Sequence, residues 1–192
     1  VKAYTWGEAK IQIVSCSNVV EVKRLDKLIG ALALIKEIPI KWTHYGDGVL
    51  MPAIKKQAAE KFGKNIEYEF KGNIDNSRLL KEYGRQNYYL FLNVSSSEGI
   101  PVSIMEAASF GIPCIATNVG GTGEIISDGD NGILLSENPT EQEIAEAIRA
   151  FCWLDKEAYE KFRHAARERW DEKYNAEKNY REFVKELQEI KD

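Results

Sequence analysis

Residues 88–111 read YYLFLNVSSSEGIPVSIMEAASFG, a continuously apolar run, a short polar loop, and then an apolar pattern of helical period. A run that is apolar at every position leaves no face for water, so it belongs inside a parallel sheet covered on both sides. The pattern that follows, Val102 to Phe110, predicts a helix that stops at Gly111. A strand, a loop and a helix in that order form the repeating unit of α/β folds.

The same alternation extends in both directions. Ile11 to Cys16 reads as a strand, and Leu25, Leu28, Ile29, Leu32 and Ala33 then repeat at helical spacing. Ile40 to Tyr45 is the next strand and ends at Gly46-Asp47-Gly48; Met51, Ile54, Ala58 and Phe62 share one helix face. Ile66 to Phe70 and Lys71-Gly72-Asn73 lead into a short helix with Leu79, Leu80 and Tyr83, followed by the strand Tyr88 to Val94. Pro113 to Ala116 and Gly132 to Leu135 complete the set, and from Thr140 the chain reads as helix throughout. The expected fold is α/β: a Rossmann-like parallel sheet of about six strands with helices on both faces. It forms one domain over residues 1–192 with a helical tail from about residue 155, in which Trp153, Trp170, Tyr174 and Tyr180 are read as core packing.

Composition narrows the function. The chain has 192 residues, 44% hydrophobic and 29% charged, with net charge -4, an ordinary globular balance without the basic footprint that nucleic acid or an anionic membrane surface requires. The three cysteines, Cys16, Cys114 and Cys152, are widely spaced among apolar neighbours and read as reduced, buried thiols of a cytoplasmic protein. The first ten residues, VKAYTWGEAK, contain no basic region leading into an apolar stretch, and no run is long enough to span a membrane. The expectation is a piece of a longer soluble protein that lacks a partner domain.

In an open parallel sheet, ligands bind beyond the carboxyl ends of the strands. Among the loops at that edge, Ser95 to Ser103 carries the most chemistry. The first amides of the helix at Val102 have no intrahelical acceptor and, with the helix dipole, form an anion site suited to a diphosphate. Glu98 lies just before that turn and Glu106 about one turn into the helix, so the two carboxylates flank the anion and can accept hydrogen bonds from sugar and ribose hydroxyls. Taken alone, a glutamate early in a helix is equally well explained by the dipole; the pair, with Gly99 between and a buried strand before, is more specific.

With these residues in place, residues 10–155, and above all SSSEGIPVSIMEAASFGIPCIATNVGGTGEII, resemble the C-terminal domain of the family-4 glycosyltransferases, retaining enzymes of the GT-B fold. The matching features are Glu98 and Glu106 as a Glu-x7-Glu pair, Gly111-Ile112-Pro113, and Gly120-Gly121-x-x-Glu124. The resemblance implies transfer of a sugar from a nucleoside-diphosphate sugar to an acceptor hydroxyl with retention of configuration, without a bound metal or cofactor. It also implies that Glu98 contacts the transferred sugar and Glu106 the ribose. Gly99, Ile100, Pro101, Val102 and Ser103 would surround the phosphates and sugar, and Gly72, Asn73 and Ile74 would lie against the base. Where the family has Gly-Arg-Leu and then a lysine to clamp the diphosphate, this chain has Ser17-Asn18-Val19 and Lys23. Lys23 then neutralises the leaving diphosphate alone, with Arg24, or with a residue of another domain. The implied partners are the donor and an N-terminal domain of the same polypeptide, through which peripheral membrane association would arise.

Other signals are weaker. Asp128-Gly129-Asp130 copies a metal-binding Asp-x-Asp but precedes Asn131-Gly132 and reads as a turn. Gly121-Thr122-Gly123 lacks the third glycine of a dinucleotide fingerprint. His44, within a strand, reads as half-buried, and neither it nor His164 has neighbours at metal-ligand spacing. Two rival functions stay open, a non-catalytic nucleotide-sugar-binding module and an epimerase-like relative.

Overall fold

In a computed structural model describing residues 10–189, the strands are β1 (Ile11–Cys16), β2 (Ile40–Tyr45), β3 (Ile66–Phe70), β4 (Leu90–Asn93), β5 (Cys114–Thr117) and β6 (Gly132–Leu135). They form one six-stranded sheet in the order β3-β2-β1-β4-β5-β6, and every pairing is parallel. The chain therefore builds outward from β1 in one direction, returns, and builds outward from β4 in the other. Between β1 and β4 the connections leave in opposite directions and open a crevice at the carboxyl edge of the sheet.

Side chains alternate across the sheet with period 2. Ile11, Ile13, Leu90 and Leu92 face a core with Leu28, Ile29 and Leu32 of α1 (Leu25–Leu34), Ile54 of α2 (Met51–Lys61), and Ile144 and Ile148 of α6 (Glu141–Cys152). Val14, Phe91 and Ala116 face the other way. They meet Leu79 and Tyr83 of α3 (Asn76–Arg85), Ile104 and Ala107 of α4 (Val102–Ala108), and Ile125 of α5 (Thr122–Ile125). Of the helix positions read as apolar faces, Leu25, Leu28, Ile29 and Leu32 of α1, Met51, Ile54 and Ala58 of α2, and Leu79 and Tyr83 of α3 are buried, whereas Ala33 is only partly so.

The tail starts with a reciprocal cap on α6: Thr140 Oγ1 accepts from the Glu143 amide at 3.1 Å, and the Glu143 carboxylate accepts from the Thr140 amide at 2.6 Å. Then α7 (Lys156–Lys173) crosses the molecule, with Tyr159 donating to the Tyr89 carbonyl at 2.9 Å and their rings stacked at 4.0 Å. The last element is α8 (Ala176–Glu189).

Several expectations need correction. β4 is shorter than Tyr88 to Val94 and α4 ends at Ala108, because Ser109–Gly111 already turns, with Gly111 at φ 65. The terminal aromatics are not uniformly core: Trp153, at the end of α6, is 52% exposed, and Tyr180, in the last helix, 70%. His44 is fully buried, not half-buried. Cys114 and Cys152 are buried as expected, whereas Cys16 is only partly so. Residues 1–9 and 190–192 of the expected domain lie outside the described residues.

Candidate active site

The loop from β4 to α4 is held from three sides. Arg24 donates to the Val94 carbonyl at 2.6 Å, the Ser95 carbonyl at 2.7 Å and the Glu137 carbonyl at 3.0 Å. The Ser96 amide donates to the Val22 carbonyl at 2.8 Å. From below, Asn93 Oδ1 accepts from the Ser95 amide and hydroxyl at 3.1 and 2.7 Å. From the third side comes the Gly120-Gly121 turn, whose Gly121 amide donates to the Gly99 carbonyl at 2.7 Å. A Cβ at Gly120 would sit 1.9 Å from the Glu98 carbonyl oxygen, and its φ of +52 is one that other residues rarely adopt. The glycine pair thus lets one loop press against the backbone that carries Glu98.

The helix opens with Pro101 as its extended N-cap, φ -73 and ψ 99, and the first ladder bonds run from the Ile104 and Met105 amides to the Pro101 carbonyl at 3.1 and 3.4 Å. The Val102 and Ser103 amides precede that ladder, the arrangement that suits an anion.

Lys23 occupies a 3-10 turn, Glu21–Lys23, ahead of α1, and not the first turn of α1 itself. Arg24 separates the two in the left-handed region at φ 49, which swings Lys23 into the crevice. There its Nζ donates to both carboxylate oxygens of Glu98 at 2.8 and 2.9 Å, and Asn93 Nδ2 adds a third bond at 3.0 Å. Burial pushes the Glu98 carboxyl up, but the hydrogen bonds from Lys23, Ser95 and Asn93 outweigh it, and the pKa is lowered from 4.5. Glu98 is therefore a carboxylate at neutral pH. Arg24 is not available as a second diphosphate cation, because its guanidinium is committed to the loop carbonyls.

Around this pair lies a cleft of about 380 Å³. It gathers Ser17, Asn18, Lys23, Asn73, Ile74, Glu98, Ile100, Pro101, Val102 and Ser103 from the expected set, and adds Cys16, Tyr45 and Gly46. Three expected residues are not on its wall. Gly72 uses its carbonyl to accept from the Gly46 amide at 2.8 Å, and Gly99 accepts from Gly121. Glu106, on α4, is partly buried and accepts a hydrogen bond from Asn76 Nδ2; burial raises its pKa while that bond lowers it, with a net rise from 4.5.

Sequence reasoning missed Asn76 and Asn93, the side chains that hold the two carboxylates. Neither stands in a recognisable motif, and their role depends on contacts between separate elements. Of the residues set aside, Asp128 accepts from the Leu134 amide at 2.9 Å within a turn that has Gly129 at φ 76. His44 Nδ1 is 2.9 Å from Ser15 Oγ, and that hydroxyl oxygen accepts from Trp42 Nε1 at 2.9 Å. Burial lowers the His44 pKa from 6.5 to about 4, so the ring is neutral.

Known proteins share this architecture. The pneumococcal O-GlcNAc transferase GtfA, solved with UDP and GlcNAc, superposes with a TM-score of 0.74 at 24% identity, covering 97% of this chain and 37% of that one. In sequence, the N-acetyl-alpha-D-glucosaminyl L-malate synthase of Bacillus anthracis is 30% identical over 182 residues, 92% of this chain and 45% of the relative. The GtfA subunit of a UDP-N-acetylglucosamine–peptide N-acetylglucosaminyltransferase from Streptococcus parasanguinis is 31% identical over 162 residues, 83% of this chain and 30% of the relative. The chain thus spans less than half the length of these relatives. The sequence model of the family described as glycosyl transferases group 1 matches residues 2–169, most of the chain, and the chain belongs to that family.

Proposed function

We propose that this chain is the donor-binding half of a retaining glycosyltransferase that moves a sugar from a nucleoside-diphosphate sugar to an acceptor hydroxyl. The observation that carries the reading is the Lys23–Glu98 pair in the crevice beside the free amides of α4. Lys23 and the Val102 and Ser103 amides offset charge developing on the departing diphosphate, and Glu98 accepts from sugar hydroxyls; each such contact lowers a barrier by a few kcal/mol, about 3 for one oxyanion donor. The bond between the anomeric carbon and the phosphate oxygen breaks, the bond to the acceptor oxygen forms on the same face, and the acceptor proton leaves on the departing phosphate.

The α-configured product named for the Bacillus anthracis relative is the one that retention would give from an α-linked nucleoside-diphosphate donor. In this reading Lys23 neutralises the diphosphate in place of a metal. Free thiols at Cys16, Cys114 and Cys152 support a reducing, cytoplasmic setting. No helix among the described residues is long and apolar enough to cross a membrane. The chain's share of its relatives' length also supports a second reading for the chain alone: donor capture without turnover.

The test is a thermal-shift panel of UDP-, GDP- and ADP-sugars, since a ligand that binds only the folded state raises stability by RT ln(1 + [L]/Kd). A shift with one nucleotide class is expected, and a flat panel would count against donor binding.

A further inference from the structure

Glu106 needs help to act as a hydrogen-bond acceptor for a ribose. It stands on α4, partly buried, and burial raises its pKa. Behind it are the Cys16 thiol at the end of β1 and the Tyr83 hydroxyl on α3, both pushed up by burial and by Glu106 itself, Cys16 to about 11. Both are neutral through the working pH range and supply no positive charge. Among the described residues, the side chain that favours the Glu106 carboxylate is Asn76, the first residue of α3, whose Nδ2 donates to Oε1.

Asn76 stands at the first helical position, and the capping position belongs to Asp75, whose side chain makes no cap bond, so the bond from Asn76 to Glu106 runs between helices and is not part of a cap. A pinned Oε1 holds the carboxylate in one orientation and leaves Oε2 as the acceptor for a diol, as a supporting shell does for a binding group.

We infer that Asn76 is a positioning residue that presents the Glu106 carboxylate to the ribose hydroxyls of the donor nucleotide, so that α3 and α4 read the ribose together. This rests on the donor-binding reading above. A ribose that loses the aligned acceptor loses about one charge-assisted hydrogen bond, roughly tenfold in affinity.

The experiment is calorimetric titration of the 192-residue chain with UDP, GDP and ADP, then with the 2′,3′-dideoxy form of the tightest binder. Asn76→Ala is compared with Asn76→Asp, which keeps the side-chain shape and suits a helix N-terminus but replaces the donor by an acceptor. Both variants are expected to weaken the ribonucleotide about tenfold and leave the dideoxy nucleotide unchanged. Equal losses for both nucleotides, or no loss, would overturn the positioning role while leaving donor binding intact. Wild-type chain that binds none of the three nucleotides would overturn both.

Discussion

Lys23 and Glu98 are 75 residues apart in the chain, yet the lysine Nζ bonds both oxygens of the carboxylate at 2.8 and 2.9 Å. Their side chains are 22% and 10% exposed, so the pair is shielded enough for its charges to matter. A diphosphate bound as proposed would compete with Glu98 for the same ammonium group. In the proposed reading, the pair couples the phosphate end of the donor to the sugar end.

Glu98→Gln therefore separates two effects. Releasing Lys23 is expected to strengthen binding of the bare nucleoside diphosphate, while transfer by the full-length enzyme falls about 100-fold or more. Calorimetry and turnover on the same variant check this, and wild-type turnover would sink the catalytic role.

Asn18 lines the cleft where the family has an arginine. Asn18→Arg adds a bidentate cation beside Lys23 and is expected to tighten nucleoside diphosphate binding roughly tenfold, with steeper weakening in salt. An unchanged affinity and salt slope in titrations at low and high salt would show that this position does not face the phosphates.

Two glycines with similar backbone angles give contrasting expectations. Gly129 has φ +76 and open space around its Cβ position, whereas Gly120 has φ +52 and the Glu98 carbonyl 1.9 Å from a Cβ. Gly129→Ala is expected to cost about 1 kcal/mol from its backbone angle alone. Gly120→Ala should cost about 2–4 kcal/mol, because the Glu98 backbone must move. Urea unfolding measures both, and only Gly120→Ala should also weaken the nucleotide sugar.

His44 makes acid stability informative. Its pKa falls from 6.5 to about 4 on folding, so between those values the unfolded chain binds more protons and stability declines as pH is lowered. The contribution is full above pH 6.5 and lost by pH 4, a change of up to about 3 kcal/mol. Unfolding series on wild type and His44→Gln should show a stability difference that is flat above 6.5 and shifts by up to that amount in favour of the variant as pH falls to 4. A difference independent of pH would rule out burial of a neutral ring.

The sequence by itself determined the six strands, the helix faces and the segment that carries Glu98, because each depends on periodicity or on residues close together in the chain. Ile11, Ile13, Leu90 and Leu92 fall on one face by alternation alone. Only the tertiary structure decided which groups meet. Arg24, read as a possible phosphate ligand, is bound to carbonyls 70 and 71 residues away, and Glu98 and Glu106 are each held by an asparagine from a neighbouring element or strand. The direction of a long polar side chain depends on the donors and acceptors that the fold brings within 3 Å or so. Local patterning therefore predicted the frame of the donor site, and the packing of β1 against β4 and of α3 against α4 set its charge balance.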